Sequence, residues 1–346
     1  MTWAIGENKD WDDLERRFDW VNAMQHVPQD KIHHAEGNVA IHTKMVLEAL
    51  TQDEAWRRLP EQDKETLWAA ALLHDVEKAS TTVHEPDGRI SSKGHSRKGA
   101  QTAGRILYRD IPAPFAVREQ VCGLVRHHSL PLWLHDKRDA LRVLARVSLE
   151  VNTAWLAMLA RADVRGRIAA DVNGLLQRVQ YFETFCREHG CWGRPYPFAT
   201  GNAMLQFLGA RGRLEPPQTE VVLMSGLPGA GKDAFIKKHY DLPVIAPESR
   251  RGLEAAKAQA RSCLRRQQPF VWNAPNITRQ VRSQLLHLFF GYGAYVKVVY
   301  VEAPYQLAAA RSNRPEAALQ KQVNQLEVPA RWEAQEVLYI TESPEH

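Results

Sequence analysis

The run VVLMS, residues 221–225, passes without a break into GLPGAGKD, Gly226 to Asp233, and then into AFIKKHY. A short β-rich run, a glycine-rich turn and a helical run in this order permit few folds. The glycines let backbone N–H groups close around a phosphate at the N-terminus of the helix, where the helix dipole favours an anion. Lys232 adds a point charge for the outer phosphates. Gly226, Leu227, Pro228, Gly229, Ala230, Gly231, Lys232 and Asp233 are therefore the expected nucleotide-binding residues. Asp233 stands where Ser or Thr usually supplies a hydroxyl to Mg²⁺. A carboxylate is also a hard oxygen ligand, so the capacity to bind Mg²⁺ is retained.

The flanking pattern extends this local prediction to a domain. Strand-like runs at 221–225, 243–246, 269–273 and 296–301 alternate with helical ones near 232–240, 251–267, 279–290 and 304–312. Such alternation predicts a parallel sheet covered by helices. Upstream, the apolar residues recur with helical period at 39–50, 66–76, 99–107, 115–125, 140–147, 153–162 and 173–185. The stretch GARGRLEPPQTE, 209–220, reads as a linker. Two domains follow, an all-α one over 1–212 and an α/β one over 218–346.

Charge separates the halves as well. Residues 1–217 carry 29 Lys+Arg against 28 Asp+Glu, whereas 218–346 carry 16 against 12; 11 of the 14 histidines lie in the first part. The first half is suited to imidazole chemistry and the second to anions. No apolar run reaches the ~18–20 residues that span a bilayer, and the N-terminus lacks the pattern of a signal peptide. Cys122, Cys186, Cys191 and Cys263 form no zinc spacing, and a reducing cytoplasm with free thiols is the expected setting.

Beyond the phosphate loop, APESRR places Glu248 and Arg251 three residues apart just past the second strand. A carboxylate there could accept a proton from an attacking hydroxyl while the arginine holds a phosphate; an acidic first turn of the next helix is the alternative. VWNAPNITR brings Asn273, Asn276 and Arg279 to the end of the third strand. Arg311 and Arg314, in AAARSNRP, are candidates for a charge-neutralising lid, or else ordinary solvated helix residues.

In the first half, AIHTKMV, ALLHDVEK, KGHSRKGA, LVRHHSLP and LARADVRGR supply His42, His74–Asp75, His95, His127–His128 and Asp163 in order. Adjacent His and Asp on a helix diverge by about 100°, so one metal receives both only in a groove between helices. His42 and Asp163 are the natural further ligands. Asp75, with two oxygens, can bridge to a second ion held by His95 and His128. Mixed imidazole and carboxylate donors suit Mn, Ni, Co, Fe or Zn rather than Mg or Ca.

The first half resembles the HD phosphohydrolase superfamily over most of residues 34–167, through H…HD…D and the forms HDVEK and ADVRGR. The resemblance implies His42, His74, Asp75 and Asp163 as ligands of one metal. It implies His95 and His128, rather than His127, for a second, with Lys78 as a phosphate or water contact. The second half resembles P-loop polynucleotide kinases, with Glu248 where that family has Asp and Pro275 where it has Thr. The order of the two halves is similar to the bacterial HD–polynucleotide kinase family, which heals RNA ends. That resemblance implies a 2′,3′-cyclic phosphodiesterase or 2′(3′)-phosphatase joined to an ATP-dependent 5′-hydroxyl kinase, acting on RNA or DNA ends. His34, Glu36, Arg97, Arg105, Arg126 and Arg165 are candidates for touching nucleic-acid phosphates or for plain surface charge. Two other readings stay open. The HD half could hydrolyse free nucleotides beside a small-molecule kinase, or the P-loop half could only sense a nucleotide.

Overall fold

Short polar side chains set where the helices of the first half begin. In the computed structural model, which describes residues 2–209, 219–247 and 252–342, Asn38 accepts from the Ile41 N–H and opens helix Val39–Gln52. Asn152 accepts from Ala154 and Trp155 at the start of Thr153–Arg165. Each cap satisfies amide donors that have no partner inside the helix. Glu61–Leu73, His95–Arg105, Phe115–His127, Ala140–Ser148 and Val172–Glu188 are the other long helices. A helix is found at every place where the sequence shows helical period. The first half contributes one two-residue hairpin among the described residues, β1 (Val83–His84) antiparallel to β2 (Ile90–Ser91).

One helix ends earlier than its apolar period predicts. The 66–76 pattern becomes Glu61–Leu73, and His74 to Glu77 form a turn. His74 Nδ1 lies 2.7 Å from the Ala71 carbonyl, an acceptor that a continuing helix would give to the Asp75 N–H. The His-Asp pair therefore projects from a helix end rather than from a helix side.

Close approach of two helices positions the rest. Gly166 caps Thr153–Arg165, and a Cβ there would lie 2.8 Å from the Val46 nitrogen and 2.6 Å from Val46 Cγ2. Only glycine lets this end pack so near Val39–Gln52. The surrounding core includes Val46, Leu50, Leu67, Leu72, Leu124, Leu159 and Phe182, all fully buried or nearly so.

The second half is a five-stranded parallel sheet. Its strands are β3 (Thr219–Ser225), β4 (Val244–Ile245), β5 (Phe270–Trp272), β6 (Ala294–Glu302) and β7 (Glu336–Thr341), in the order β4-β5-β3-β6-β7. β3 is central and buried along nearly its whole length, as a strand covered on both faces must be. The four predicted strands are present, and β7 is one that the sequence pattern did not reveal. Helices Lys232–His239, Leu253–Arg265, Arg279–Gly291 and Tyr305–Arg311 fill the connections, with Glu316–Val323 in addition. Val222, Met224, Ile236, Val271, Val299 and Val301 pack between sheet and helices.

The chain divides into units 1–197 and 198–346. Helix Gly201–Phe207 thus groups with the second half, because Gly201 lies against the Gln335 backbone. Most of the expected linker, 210–218, lies outside the described residues.

Within the second unit, fully buried Arg282 forms a two-pronged pair with Glu333 at 2.7 and 2.9 Å. Arg282 also donates to the carbonyls of Asn276 and Glu327. Removing one partner leaves the other charge buried and unpaired. Glu333→Ala should cost about 3–5 kcal/mol, measured by urea unfolding against the wild type; a loss below about 1 kcal/mol would mean that water reaches the pair.

Candidate functional site

Four imidazoles in the first unit share one arrangement. The Nδ1 atoms of His42, His74, His95 and His128 lie 2.7–3.0 Å from the carbonyls of Gly166, Ala71, Ser92 and Val125. A proton on each Nδ1 satisfies these acceptors and turns the Nε2 lone pairs inward. This is the tautomer in which an imidazole ligates a metal through Nε2, oriented by the hydrogen bond on its other nitrogen.

The inward atoms converge in two groups. His42, His74 and Asp163 form one and Asp75, His95 and His128 the other, with ligand atoms in each group within 4.8 Å of one another. Asp75 lies between them. Its Oδ2 is 3.2 Å from His74 Nε2 and 3.8 Å from His42 Nε2, while its Oδ1 is 3.4 Å from His95 Nε2. Asp163 Oδ1 is 3.1 Å from His42 Nε2. All six sequence-predicted ligands are brought together, and all except His95 are buried. His127 instead points to Glu150, at 3.0 Å.

The donor set fits divalent metal on chemical grounds. His74 Nε2 and Asp75 Oδ1 are buried without a hydrogen-bond partner among the described residues. His95 and His128 bring their Nε2 atoms to 3.3 Å, so two lone pairs face each other. Orphaned acceptors of this kind are costly unless a cation lies between them. Burial would raise the Asp75 carboxyl, but the adjoining His74 ring and the Lys78 ammonium hold it well below the usual carboxylate range. For Asp163, burial is likewise outweighed by Arg167 and His42. Burial above all pushes His128 down to about 3, so it stays neutral.

Further residues adjoin this centre. Lys78 Nζ lies 2.8 Å from Asp75 Oδ2 and donates to Gln29 Oε1 at 2.6 Å. Arg167 grips both oxygens of Asp163, at 3.1 and 2.5 Å. Glu36, which the sequence offered as a nucleic-acid contact or as plain surface charge, has its carboxylate buried instead. It accepts from His34 Nδ1 at 2.8 Å and the Ile168 N–H at 2.9 Å, and it lies 3.0 Å from His42 Nδ1. Arg165 turns to Asp53, at 3.7 Å. Sequence reasoning missed Arg167, although it is the last residue of ADVRGR, and Gln29, which carries no signal 49 positions away from Lys78.

In the second unit, the phosphate loop hangs from central β3. Gly226 (φ 139°) donates to the Pro275 carbonyl at 2.9 Å, and a Cβ there would meet the Val301 oxygen at 2.2 Å. Gly229 (φ 79°) has the same relation to the Ala308 oxygen, at 2.1 Å. Gly231, also left-handed, caps helix Lys232–His239. Lys232 folds onto the carbonyls of Gly226 and Leu227 at 3.0 and 2.9 Å. Burial pushes its pKa down to about 8, with Asp233 opposing that shift and Arg314 adding to it. Asn273 donates to Asp233 at 2.6 Å.

The remaining candidates of the second half have varied surroundings. Arg311 pairs with Glu342, at 3.1 Å. Arg279 lies over the Trp332 ring and beside Glu333 rather than near the loop. Asn276 (φ 45°) binds the Met224 carbonyl and so ties the end of β5 to β3. Glu248 and Arg251 lie outside the described residues.

Residues 38–155 match the HD domain family. Residues 245–331 match the family described as AAA domain, a match that begins beyond the phosphate loop. The chain therefore combines a helical HD domain with a P-loop kinase-like α/β domain. It is 29% identical over 153 residues to the A-adding tRNA nucleotidyltransferase of Deinococcus radiodurans, covering 44% of this chain and 35% of that protein. It is 32% identical over 165 residues to the multifunctional CCA protein of Methylococcus capsulatus, with the same coverage. For the protein of that name from Halorhodospira halophila the identity is 34% over 117 residues, covering 33% and 25%. The chain spans about a third or less of the length of these curated relatives. An HD domain implies a divalent metal, and the phosphate loop a nucleotide with Mg²⁺. No single helix among the described residues is long and apolar enough to cross a membrane.

Glu36 and the Gly166 carbonyl share the Nδ1 proton of His42. Glu36→Gln should therefore weaken divalent-metal affinity by about 10–100-fold, read by competition with a coloured chelator. An unchanged affinity would show that Gly166 alone orients the ring.

Proposed function

We propose that the chain is a bifunctional RNA end-healing enzyme of the HD–polynucleotide kinase type. In this reading, the HD domain hydrolyses a 2′,3′-cyclic phosphate or a 2′(3′)-phosphate, and the P-loop domain phosphorylates a 5′-hydroxyl with ATP. The observation that carries the reading is Asp75, a buried carboxylate with one oxygen toward each of two histidine groups. The relative named for tRNA adds support for RNA as the substrate class. RNA cleaved by attack of its own 2′-hydroxyl leaves a cyclic phosphate on one end and a 5′-hydroxyl on the other, and each domain suits one of them.

In the HD centre, His42, His74 and Asp163 would hold one ion, His95 and His128 another, and Asp75 both. Such a pair of ions, when bound, activates water and clamps a phosphate. Lys78 sets Asp75 in place and offers a cation to a substrate phosphate. Arg167 orients Asp163. In the kinase domain, the loop amides and Lys232 hold the outer phosphates, and Arg311 and Arg314 supply lid charge. Glu248 as base and Arg251 as phosphate contact complete the proposal. Manganese, nickel, cobalt, iron and zinc all suit the HD donors.

The test is an end-group assay on an oligoribonucleotide bearing a 5′-hydroxyl and a 2′,3′-cyclic phosphate, with free nucleotides alongside. Asp75→Ala should abolish removal of the terminal phosphate and cut bound transition metal, while 5′-phosphorylation continues. Lys232→Ala should do the reverse. Hydrolysis of free nucleotides alone would turn the assignment to a nucleotidohydrolase. Loss of both activities in either folded variant would overturn the two-module reading.

A further inference from the structure

Asp233 is an unusual side chain for its place. It is the second residue of the helix that follows the phosphate loop, where amide donors and the helix dipole favour anions. A fixed carboxylate there competes with the phosphates that the loop is built to receive. Lys232, the nearest loop cation in sequence, is buried and donates to the carbonyls of Gly226 and Leu227. Among the described residues Asp233 accepts a single hydrogen bond, from the neutral amide of Asn273 at the end of β5. That bond uses Oδ1 and fixes the carboxylate beside the loop, and Asp233 itself is exposed.

We infer that Asp233, held by Asn273, is the side chain through which the loop takes its divalent cation, and that it makes nucleotide capture conditional on that cation. The inference rests on the reading of the loop as a nucleoside triphosphate site. A carboxylate is a hard oxygen ligand suited to Mg²⁺. With the cation between them, carboxylate and phosphates attract through it; without it, two anions face each other at short range. A hydroxyl at this position would lose one ligand without Mg²⁺ but would meet no repulsion. The Asp233 carboxylate thus acts against metal-free nucleotide, a repulsive element of the kind by which specific sites exclude a wrong ligand. Asn273 is a positioning residue.

The experiment measures ATP binding by calorimetry to the full chain, once with Mg²⁺ and once with excess EDTA, with melting curves as a check on folding. Wild type should bind metal-free ATP at least ~10-fold more weakly than Mg·ATP. Asp233→Thr and the nearly isosteric Asp233→Asn should both narrow that ratio by gaining affinity for metal-free ATP. Asn273→Ala should raise the Mg²⁺ concentration at which ATP binding is half-maximal. If both Asp233 variants keep the wild-type ratio, the inference is overturned and the nucleotide site stands. If wild type binds ATP in neither buffer, the nucleotide reading fails and the inference with it. An unmoved Mg²⁺ midpoint in folded Asn273→Ala would remove the positioning role.

Discussion

The HD half is organised around one buried carboxylate. Asp75 is almost wholly withdrawn from water, and an isolated charge in that position would be prohibitive. Lys78 offsets part of that cost at 2.8 Å, and the Nε2 lone pairs that face the carboxylate from both sides leave room for a cation to offset the rest. Each ring is held by a main-chain carbonyl, three residues back in the chain for His74, His95 and His128 and from Gly166 for His42. The acceptors satisfy Nδ1 and leave Nε2 directed at the carboxylate. For His42, His74 and His128 ring orientation is therefore written into helix ends, where backbone carbonyls lack helical partners.

The α/β half meets a related problem with the opposite charge. Its ligand is expected to be anionic, so the loop presents amides and one lysine. Glycine is needed at 226 and 229 because the backbones of Val301 and Ala308 leave no room for a Cβ. Those two neighbours lie at the end of β6 and on the helix after it. The loop is thus shaped by the strand beside β3 as much as by its own sequence. On the other side, Asn276 and the Pro275 carbonyl fasten it to the segment after β5. Ligands of open parallel sheets bind in this crevice at the carboxyl ends of the strands.

Much of this was legible beforehand, for identifiable reasons. Helical period survives in the first half because the helices bury one face each. β3 and β6 were visible as continuous apolar runs because a central parallel strand is covered on both sides. β7 was not, since its residues are only half-buried and its apolar run VLYI is short. The His and Asp ligands could be chosen because their order along the chain matched a known chemistry. Glu36 was misread because a carboxylate beside a histidine looks the same in sequence whether it faces solvent or orients a ring.

The amino-acid order by itself determined the two kinds of domain, the phosphate loop and the six His and Asp residues that converge, because period and motif spacing are local properties of the chain. Tertiary structure alone decided which nitrogen of each histidine faces the centre, that Asp75 lies between two groups, and that Arg167 and Glu36 support it. It also decided that Asn273 holds Asp233. The convergence depends on contacts between residues tens of positions apart or more, such as Gly166 with Val46 and Asp163 with His42, while three of the rings are turned by a carbonyl three residues back. Sequence spacing carries no direction for a side chain, and only packing supplies one.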